Sequence, residues 1–344
     1  MKQTWSVGKT RAWYDAQTWP LGFNYVPANA INSTEMFMDY GFDPVFMEKE
    51  LRLARDTGFN CARIFLPFVV WENEPEAFKA RLDVLLGICA KCGIRVMPAL
   101  FDDCGFCDIT NPFFGKQPDV IPGWYSYGWI PSPGHDFVRD RSQWSRLEPF
   151  VKDVVGTFGN DPRVWVWDMY NEPTNGIGIG KYAYQLGDVS LPLVEKVFGW
   201  ARETGPSQPL TLGAWNGNAK LNAMVFENSD VVTFHCYDNA EGLMAKIAEI
   251  KATVGGRPVI CTEWMNRGTG STMAGCLPVF KRENVGAIHW GLVSGKTQTH
   301  LGWGHLPGQP VKPVWQHELF HGDHTPYDDE EIECIRKVVG GADR

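Results

Sequence analysis

Short runs of apolar, β-branched and aromatic residues recur along the chain, and most of them precede a stretch with helical spacing of apolar residues. The helical spacing is clear over 147–158 and over 243–250. Glycines stand where such helices would end, at Gly58, Gly93, Gly159 and Gly255. The apolar runs predict eight strands, at Leu21–Val26, Cys61–Leu66, Ile94–Phe101, Arg163–Tyr170, Pro209–Gly213, Val231–Tyr237, Pro258–Glu263 and Ala287–Leu292.

The alternation of strands and helices predicts an α/β fold. Near-continuous apolar strands indicate a parallel sheet covered by helices, and eight such units close into a (β/α)8 TIM barrel. An open doubly wound sheet is the alternative, but no G-x-G-x-x-G follows the first strand. The sequence shows no linker or low-complexity segment. We therefore expect one catalytic domain over 1–344, with closing helices at about 313–344.

Composition and charge exclude several classes of protein. Hydrophobic residues make up 44% and charged residues 21%, an ordinary globular balance. The 32 Lys and Arg against 40 Asp and Glu give a net charge of −8, so we expect no nucleic-acid or membrane partner. No apolar run reaches the ~20 residues of a membrane span. The first residues lack the apolar segment of a signal peptide, so the expected location is cytoplasmic, or exported after removal of such a peptide.

The aromatic content is high, at 13% with 15 tryptophans. Flat aromatic rings serve as core residues, and they also stack on the C–H faces of sugars. The predicted loop 102–133 holds Trp124, Tyr125, Tyr127 and Trp129 and follows the third strand. Long loops of this kind in compact domains are usually functional. Trp124 is therefore a candidate substrate-binding residue.

The nine cysteines are an odd count, which fits a reducing compartment better than a disulfide framework. Cys89-x-x-Cys92 and Cys104-x-x-Cys107 have the spacing of a zinc ribbon. An intervening strand of ~3.3 Å per residue would hold the two pairs more than ~20 Å apart. The histidines show no H-E-x-x-H spacing. We therefore expect neither a metal ion nor a cofactor.

The predicted strands end in polar and aromatic residues, and the catalytic residues of a TIM barrel lie at that end of its strands. Glu172 and Glu263 follow the fourth and seventh strands, which face each other across the barrel. Two carboxyl groups ~5–5.5 Å apart are what a retaining glycosidase needs. Arg63 and Tyr237 are expected to hold Glu263 ionised. In the alternative interpretation, each glutamate pairs with an arginine or caps a helix.

Two motifs carry a family resemblance. The segment Trp167–Pro173, W-D-M-Y-N-E-P, resembles the Asn-Glu-Pro signature of clan A glycoside hydrolases. The segment Val259–Trp264 resembles the nucleophile motif on their seventh strand. The chain is most similar to family 5 cellulases and mannanases and to barrel enzymes often labelled β-xylanases. The resemblance extends from about Trp19 to Trp290.

The resemblance implies a role for each matching residue. Glu172 would be the acid/base, Glu263 the nucleophile that Tyr237 orients, and Asn171 the partner of the sugar 2-hydroxyl. The residues expected to bind substrate are Arg63, Asp102, Asn171, His235, Tyr237, Trp264, Trp290, Trp124 and Asn24, and Asn32 and Glu35 are further candidates. The chain departs from the family after the third strand, where a histidine is usual and Asp102-Asp103-Cys104 stands here.

The function expected from these residues is that of a retaining β-glycosidase, which would hydrolyse β-linked oligo- or polysaccharides through a covalent glycosyl-enzyme. A transglycosylase with the same residues and a non-catalytic carbohydrate-binding barrel are the alternatives. Sequence leaves open the sugar, the linkage, endo or exo action and the oligomeric state. The aromatic loop after the third strand favours exo action or short oligosaccharides, because it would wall one end of a cleft.

Overall fold

Parallel strands form the inner wall of a barrel, and helices cover its outside. The structure is a computed structural model that describes residues 4–178 and 183–340. Its strands are β1 (Leu21–Asn24), β2 (Cys61–Phe65), β3 (Arg95–Ala99), β4 (Trp167–Asp168), β5 (Gly176–Ile177), β6 (Tyr184–Gln185), β7 (Leu210–Thr211), β8 (Gly213–Ala214), β9 (Val232–His235), β10 (Val259–Glu263) and β11 (Gly286–Trp290). Its helices are α1 (Val7–Asp15), α2 (Ser33–Phe37), α3 (Pro44–Thr57), α4 (Phe68–Asn73), α5 (Pro75–Lys91), α6 (His135–Arg139), α7 (Trp144–Phe158), α8 (Leu191–Thr204), α9 (Ala219–Asn228), α10 (Ala240–Thr253), α11 (Met273–Arg282) and α12 (Asp329–Gly340).

The sheet closes through a strand that is interrupted at Leu212. The strand order is β7-β4-β3-β2-β1-β11-β10-β9-β8, and every neighbouring pair is parallel. β7 pairs with β4 and β8 pairs with β9, so the two short pieces around Leu212 act as one strand of the barrel. Each of the eight predicted strands is present, and the predicted (β/α)8 TIM barrel is confirmed.

The helices begin, end and pack as their sequences dictate. In α3, the Asp43 side chain caps the backbone N–H of Phe46, and Pro44 occupies the first turn. The helix ends at Gly58, whose φ of 119° a residue with a Cβ rarely adopts. The apolar positions predicted from helical spacing over 147–158 and 243–250 are buried against the sheet.

The C-terminal stretch differs from the expected set of closing helices. Only one helix, α12, lies between 313 and the last described residue, and residues 313–328 form turns and isolated bridges. Ile335 of α12 is fully buried, and Glu331 forms an ion pair with Arg267 in the loop after β10. The antiparallel pair β5–β6, directly after the Asn-Glu-Pro segment, is a further element that the hydrophobic pattern does not predict.

The inside of the barrel changes from apolar to polar along its axis. At the N-terminal end of the strands, α1 covers the opening, and Trp13 stacks on Trp165 with ring centroids 5.7 Å apart. Toward the other end, the interior holds buried charged side chains, including Arg63 and Asp168. A buried charge requires a partner, so this half of the barrel is built around specific polar contacts. None of the helices in residues 4–178 and 183–340 has the length and hydropathy of a membrane span.

Candidate active site

A cavity of about 470 Å³ opens where the strands end, and its size is within the range of small-molecule sites. Both predicted catalytic glutamates line it. The other lining residues used below are Cys104, Trp129, Asn171, Asn175, Trp215, His235, Cys236, Tyr237, Trp290 and Trp303. The barrel thus brings Glu172 and Glu263 together with most of the aromatic and polar strand ends singled out in the sequence.

Arg63 lies beneath the cavity and is fully buried. Its Nε donates to Asp168 Oδ2 over 2.8 Å, and its Nη1 donates to Glu263 Oε1 over 2.9 Å. The remaining donors reach Asn24 Oδ1 and Asn171 Oδ1, at 2.9 and 2.8 Å. Charge-assisted hydrogen bonds of this guanidinium therefore connect β2, which carries Arg63, with β1, β10 and the end of β4. Arg63 is not among the residues that line the cavity, and its hydrogen bonds are to protein groups beneath it.

Both oxygens of Glu263 are held. Oε1 accepts from Arg63, and Oε2 accepts from the Tyr237 hydroxyl over 2.8 Å. Burial raises the pKa of the Glu263 carboxyl above its usual value, and the neighbouring Glu172 adds to the rise. The Arg63 and Tyr237 contacts lower that pKa without cancelling the effect of burial. The sequence predicted the contacts of Arg63 and Tyr237 with Glu263. It did not predict that burial would raise the pKa of this carboxyl.

Glu172 sits on an unusual piece of backbone. Its φ is +40° and that of Thr174 is +80°, conformations that cost residues with a Cβ about 1–3 kcal/mol each. The buried Asp103 anchors this turn, because its Oδ2 accepts from the Thr174 N–H at 3.0 Å. Its Oδ1 accepts from the Tyr170 hydroxyl at 2.6 Å. Strain of this kind directs the Glu172 side chain into the cavity.

Within residues 4–178 and 183–340, the hydrogen-bond partners of the Glu172 carboxylate are uncharged. Its Oε1 lies 2.7 Å from His235 Nδ1, and its Oε2 accepts from Asn175 Nδ2 at 2.7 Å. Cys104 Sγ lies 3.0 Å from the same Oε2. Burial lowers the pKa of His235 to about 4, so the imidazole is neutral at neutral pH. Burial also raises the pKa of Glu172, and the hydrogen bonds from Cys104 and Asn175 oppose that rise.

Asp102 and Asn24 act below the cavity surface. Asp102 Oδ1 accepts from Asn171 Nδ2 and its Oδ2 accepts from Trp129 Nε1, each at 2.8 Å. Asn24 Nδ2 donates to backbone carbonyls at the ends of β10 and β11. Neither residue lines the cavity, and both side chains are bound to other protein groups. Asn32 and Glu35 are likewise buried and bound to other protein groups.

Two predicted tryptophans lie away from the cavity. Trp264 is fully buried and contacts Phe280, with ring centroids 5.0 Å apart. Successive side chains of a strand point to opposite faces, so Glu263 in the barrel mouth forces its neighbour Trp264 outward into the core. Trp124 donates its indole N–H to the Phe106 carbonyl and packs on Tyr127. Neither ring is among the residues that line this cavity.

Aromatic rings form the walls of the cavity. Trp290, as expected, lines it, stacked on Phe65 at 5.7 Å and edge-on to Trp129 at 5.4 Å. Trp215 and Trp303 are wall residues that the sequence did not identify. Trp303 is 46% exposed and lies edge-on to Tyr237. Both come from loops outside the recognised motifs, so only their residue type could have pointed to them.

One group of side chains could in principle offer ligands to a metal ion. Atoms of Glu172, His235 and Glu263 lie within 4.8 Å of one another, and in residues 4–178 and 183–340 no other such group of His, Cys, Asp or Glu is found. The two Cys-x-x-Cys pairs do not form one. Glu263 is already paired with Arg63, whose positive charge opposes a cation at the same carboxylate. The positive charge next to this carboxylate is therefore already supplied by the protein itself.

A (β/α)8 barrel with two facing, buried glutamates under a tryptophan-walled cavity defines a glycoside hydrolase. The chain belongs to glycosyl hydrolase family 5, because the family model described as "Cellulase (glycosyl hydrolase family 5)" matches residues 27–295. No curated protein matches the sequence.

Solved structures share the fold at low sequence identity. A GH5_18 enzyme from Streptomyces cattleya in complex with GlcNAc is 12% identical with a TM-score of 0.65, over 94% of this chain and 80% of that one. The exo-β-1,4-mannosidase Op5Man5 from Opitutaceae bacterium strain TAV5 is 17% identical with a TM-score of 0.59, over 93% of this chain and 59% of that one. A trimodular GH5_4 endoglucanase is 15% identical with a TM-score of 0.58, over 99% of this chain and 63% of that one. This chain thus spans about three fifths of the last two.

The pH dependence of kcat/KM should be bell-shaped, with both limbs above the ordinary carboxyl pKa of about 4.3. Burial raises the pKa of both glutamates, so protonation of Glu263 abolishes activity at a higher pH than for an exposed carboxyl. Deprotonation of Glu172 then ends activity on the alkaline side. Initial rates from about pH 3 to 9 test this. Activity retained below about pH 4 would contradict the raised pKa of Glu263.

Replacement of Trp264 by alanine should mainly reduce stability, whereas replacement of Trp290 by alanine should mainly reduce activity. Trp264→Ala should lower the free energy of unfolding by about 3–5 kcal/mol, because it leaves a cavity in the core. Its kcat/KM below the unfolding temperature should stay near the wild-type value. Trp290→Ala should lower kcat/KM by about 10- to 100-fold, because a sugar loses its apolar platform. Urea unfolding and steady-state kinetics on both variants provide the comparison, and a selective kinetic defect in Trp264→Ala would restore it to the substrate site.

Proposed function

We propose that this chain is a retaining β-glycosidase that hydrolyses β-linked oligo- or polysaccharides through a covalent glycosyl-enzyme. One observation carries the proposal: one carboxylate oxygen of Glu172 and one of Glu263 lie within 4.8 Å of each other. His235 Nδ1 lies 2.7 Å from Glu172 Oε1 and 3.6 Å from Glu263 Oε2, so both carboxyl groups face the same point of the cavity. This proximity supports the arrangement of a retaining enzyme, in which the carboxyl groups stand about 5–5.5 Å apart and one of them attacks the sugar directly.

The environments of the two glutamates support the division of roles. Glu263 contacts a permanent cation, Arg63, and the Tyr237 hydroxyl, both of which stabilise a carboxylate. Glu172 contacts a neutral imidazole, an amide and a thiol, which leave its protonated form accessible. In a pair of coupled carboxyls, Glu263 therefore ionises first. It is the nucleophile of the proposal, and Glu172 is the acid.

In the first step, Glu263 forms a bond to the anomeric carbon as the glycosidic bond breaks. Glu172 transfers its proton to the departing oxygen, so the leaving group departs as an alcohol. Asn171 is held by Arg63 and Asp102, and its position next to Glu172 supports a contact with the 2-hydroxyl of the cleaved sugar. In the second step, Glu172 takes a proton from water, whose oxygen displaces Glu263 with net retention of configuration.

The walls of the cavity support a carbohydrate substrate with at least one sugar ring stacked on an indole. Trp290 would be the platform for the sugar being cleaved, and Trp215 and Trp303 stand farther out for the adjoining unit. Two similar structures are named for manno-configured sugars, as an exo-β-1,4-mannosidase and as a GH5_18 complex with Manβ1-4GlcNAc. A panel of aryl β-mannosides, β-glucosides, β-xylosides and β-glucuronides, together with the matching β-linked oligosaccharides, tests the proposal, and failure to cleave any of them would overturn it.

Glu263→Ala should reduce turnover by about 10⁴-fold or more while the fold is retained, because no neighbouring group can form the covalent bond. Added azide should partly restore cleavage of an activated aryl β-glycoside and give the inverted α-glycosyl azide. Product configuration is read by proton NMR. The exposed Glu227→Ala is a control for effects of losing one carboxylate. Wild-type rates in Glu263→Ala would remove this residue from the mechanism.

Glu172→Ala should depend on the leaving group. With an alkyl or sugar leaving group the loss should be about 10²–10⁴-fold, the usual contribution of a general acid. With dinitrophenolate the first step needs no proton, so a burst of phenolate followed by slow turnover is expected. Azide should accelerate the second step and give the retained β-glycosyl azide. Equal losses for good and poor leaving groups would contradict the assignment of Glu172 as acid/base.

A further inference from the structure

Cys104 is a buried thiol in direct contact with the proposed acid/base. It follows Asp102-Asp103 at the end of the third barrel strand, lines the cavity, and is 6% exposed. Its Sγ lies 3.0 Å from Glu172 Oε2, within hydrogen-bond reach for sulfur. The backbone N–H of Cys104 donates to Asp102 Oδ1 at 2.8 Å, the same oxygen that orients Asn171. The thiol is therefore fixed relative to both residues of the Asn-Glu pair.

Toward an ionised Glu172, the Cys104 thiol acts as a hydrogen-bond donor. Burial raises the pKa of Cys104 far above its usual value, and the nearby Glu172 and Asp102 carboxylates add to the rise. The sulfur thus keeps its proton at any pH at which the enzyme would work. A neutral S–H is a weak donor, and its sulfur is a weak acceptor.

Asn175 completes the arrangement around the same oxygen. Its Nδ2 donates to Glu172 Oε2 at 2.7 Å and lies 3.1 Å from Cys104 Sγ. The orientation of the amide is fixed on its other side, because Oδ1 accepts from the Gly176 N–H at 2.8 Å and from Gln185 Nε2 at 3.3 Å. Oε2 of Glu172 therefore faces two donors, an amide N–H and a thiol S–H.

We propose that Cys104 is a positioning residue for Glu172. Cys104 and Asn175 both donate hydrogen bonds to Oε2 of Glu172, so the catalytic proton is carried by the other oxygen, Oε1. An oxygen that accepts from two donors is a poor site for a proton, whereas Oε1 faces His235 Nδ1 at 2.7 Å, which can accept. This inference rests on the proposed glycosidase function. It assigns a role to a side chain at the place where the family resemblance implies a histidine.

The pH profile is the readout that separates this role from a merely structural one. A donor to a carboxylate favours the ionised form, so its removal raises the pKa of Glu172. In the part of the chain that the structure describes, the other titratable or charged groups around the acid are Glu263, His235, Tyr237, Arg63, Asp102, Asp238 and Lys246. All of these are unchanged by substitution of Cys104, so a shift of the alkaline limb reports on the thiol contact.

Cys104→Ala should move the alkaline limb of kcat/KM upward by roughly 0.5–1 pH unit, since two or three donors together lower a carboxyl pKa by about two units. Cys104→Ser should bring the limb back to the wild-type position or below it, because a hydroxyl is a stronger donor. Cys236→Ala is the matched control: that thiol is buried and lines the same cavity, but its contact is with Asp238. This control should leave the limb in place.

The outcomes are distinguishable. An active wild-type enzyme whose alkaline limb is the same in Cys104→Ala and Cys236→Ala overturns the role of Cys104 and leaves the glycosidase proposal intact. A uniform loss of rate at every pH in Cys104→Ala, without recovery in Cys104→Ser, also overturns it, because it indicates packing alone. If Cys104→Ala does not fold, the position of the limb in Cys104→Ser decides: a shift to higher pH overturns the role. A wild-type enzyme inactive on every glycoside overturns both proposals together.

Discussion

The buried guanidinium of Arg63 is the constraint around which the barrel interior is organised. One cation is enclosed with two carboxylates, Asp168 and Glu263, and both anions contact it within 3 Å. All three side chains are buried, so each charge depends on the others for compensation. If Arg63 were absent, two buried carboxylates would be left without a cation, a change that costs about 3–5 kcal/mol for a single broken pair. The strands that carry these residues are therefore held in one relative arrangement by electrostatics as well as by backbone pairing.

The same cation makes Glu172 and Glu263 unequal. Both are buried, and burial raises the pKa of each carboxyl. Among the described residues, Glu263 contacts a permanent positive charge, whereas Glu172 contacts the neutral imidazole of His235. Desolvation therefore has opposite effects on the two ionised carboxylates. It strengthens the attraction between Arg63 and an ionised Glu263, and it makes an ionised Glu172 less favourable. The two carboxyl groups are buried in the same cavity but ionise differently, because the positive charge of Arg63 lies next to Glu263.

The hydrophobic pattern was sufficient to predict the eight strands of the barrel, because strands buried on both faces are apolar throughout. The pattern also predicted that the polar residues at the ends of the strands lie together at one end of the barrel. It did not separate residues that line the cavity from those just below it, since Arg63 and Asp102 are polar in either place. Trp264 is a second example of this limit. Its side chain points away from the cavity because the side chain of the preceding residue, Glu263, points into it. The wall residues Trp215 and Trp303 depend on loop paths that no local periodicity encodes.

The two glutamates are also supported by different kinds of structure. The contacts of Glu263 come from Arg63, which is paired within the sheet, and from Tyr237, just beyond the end of β9. The contacts of Glu172 come mainly from the loop after β3 and from Asn175, which leads into the β5–β6 pair. Loops tolerate substitution better than paired strands do. In this barrel the surroundings of Glu172 therefore rest on loop residues, Cys104 and Asn175, whereas the Arg63 contact of Glu263 rests on a paired strand.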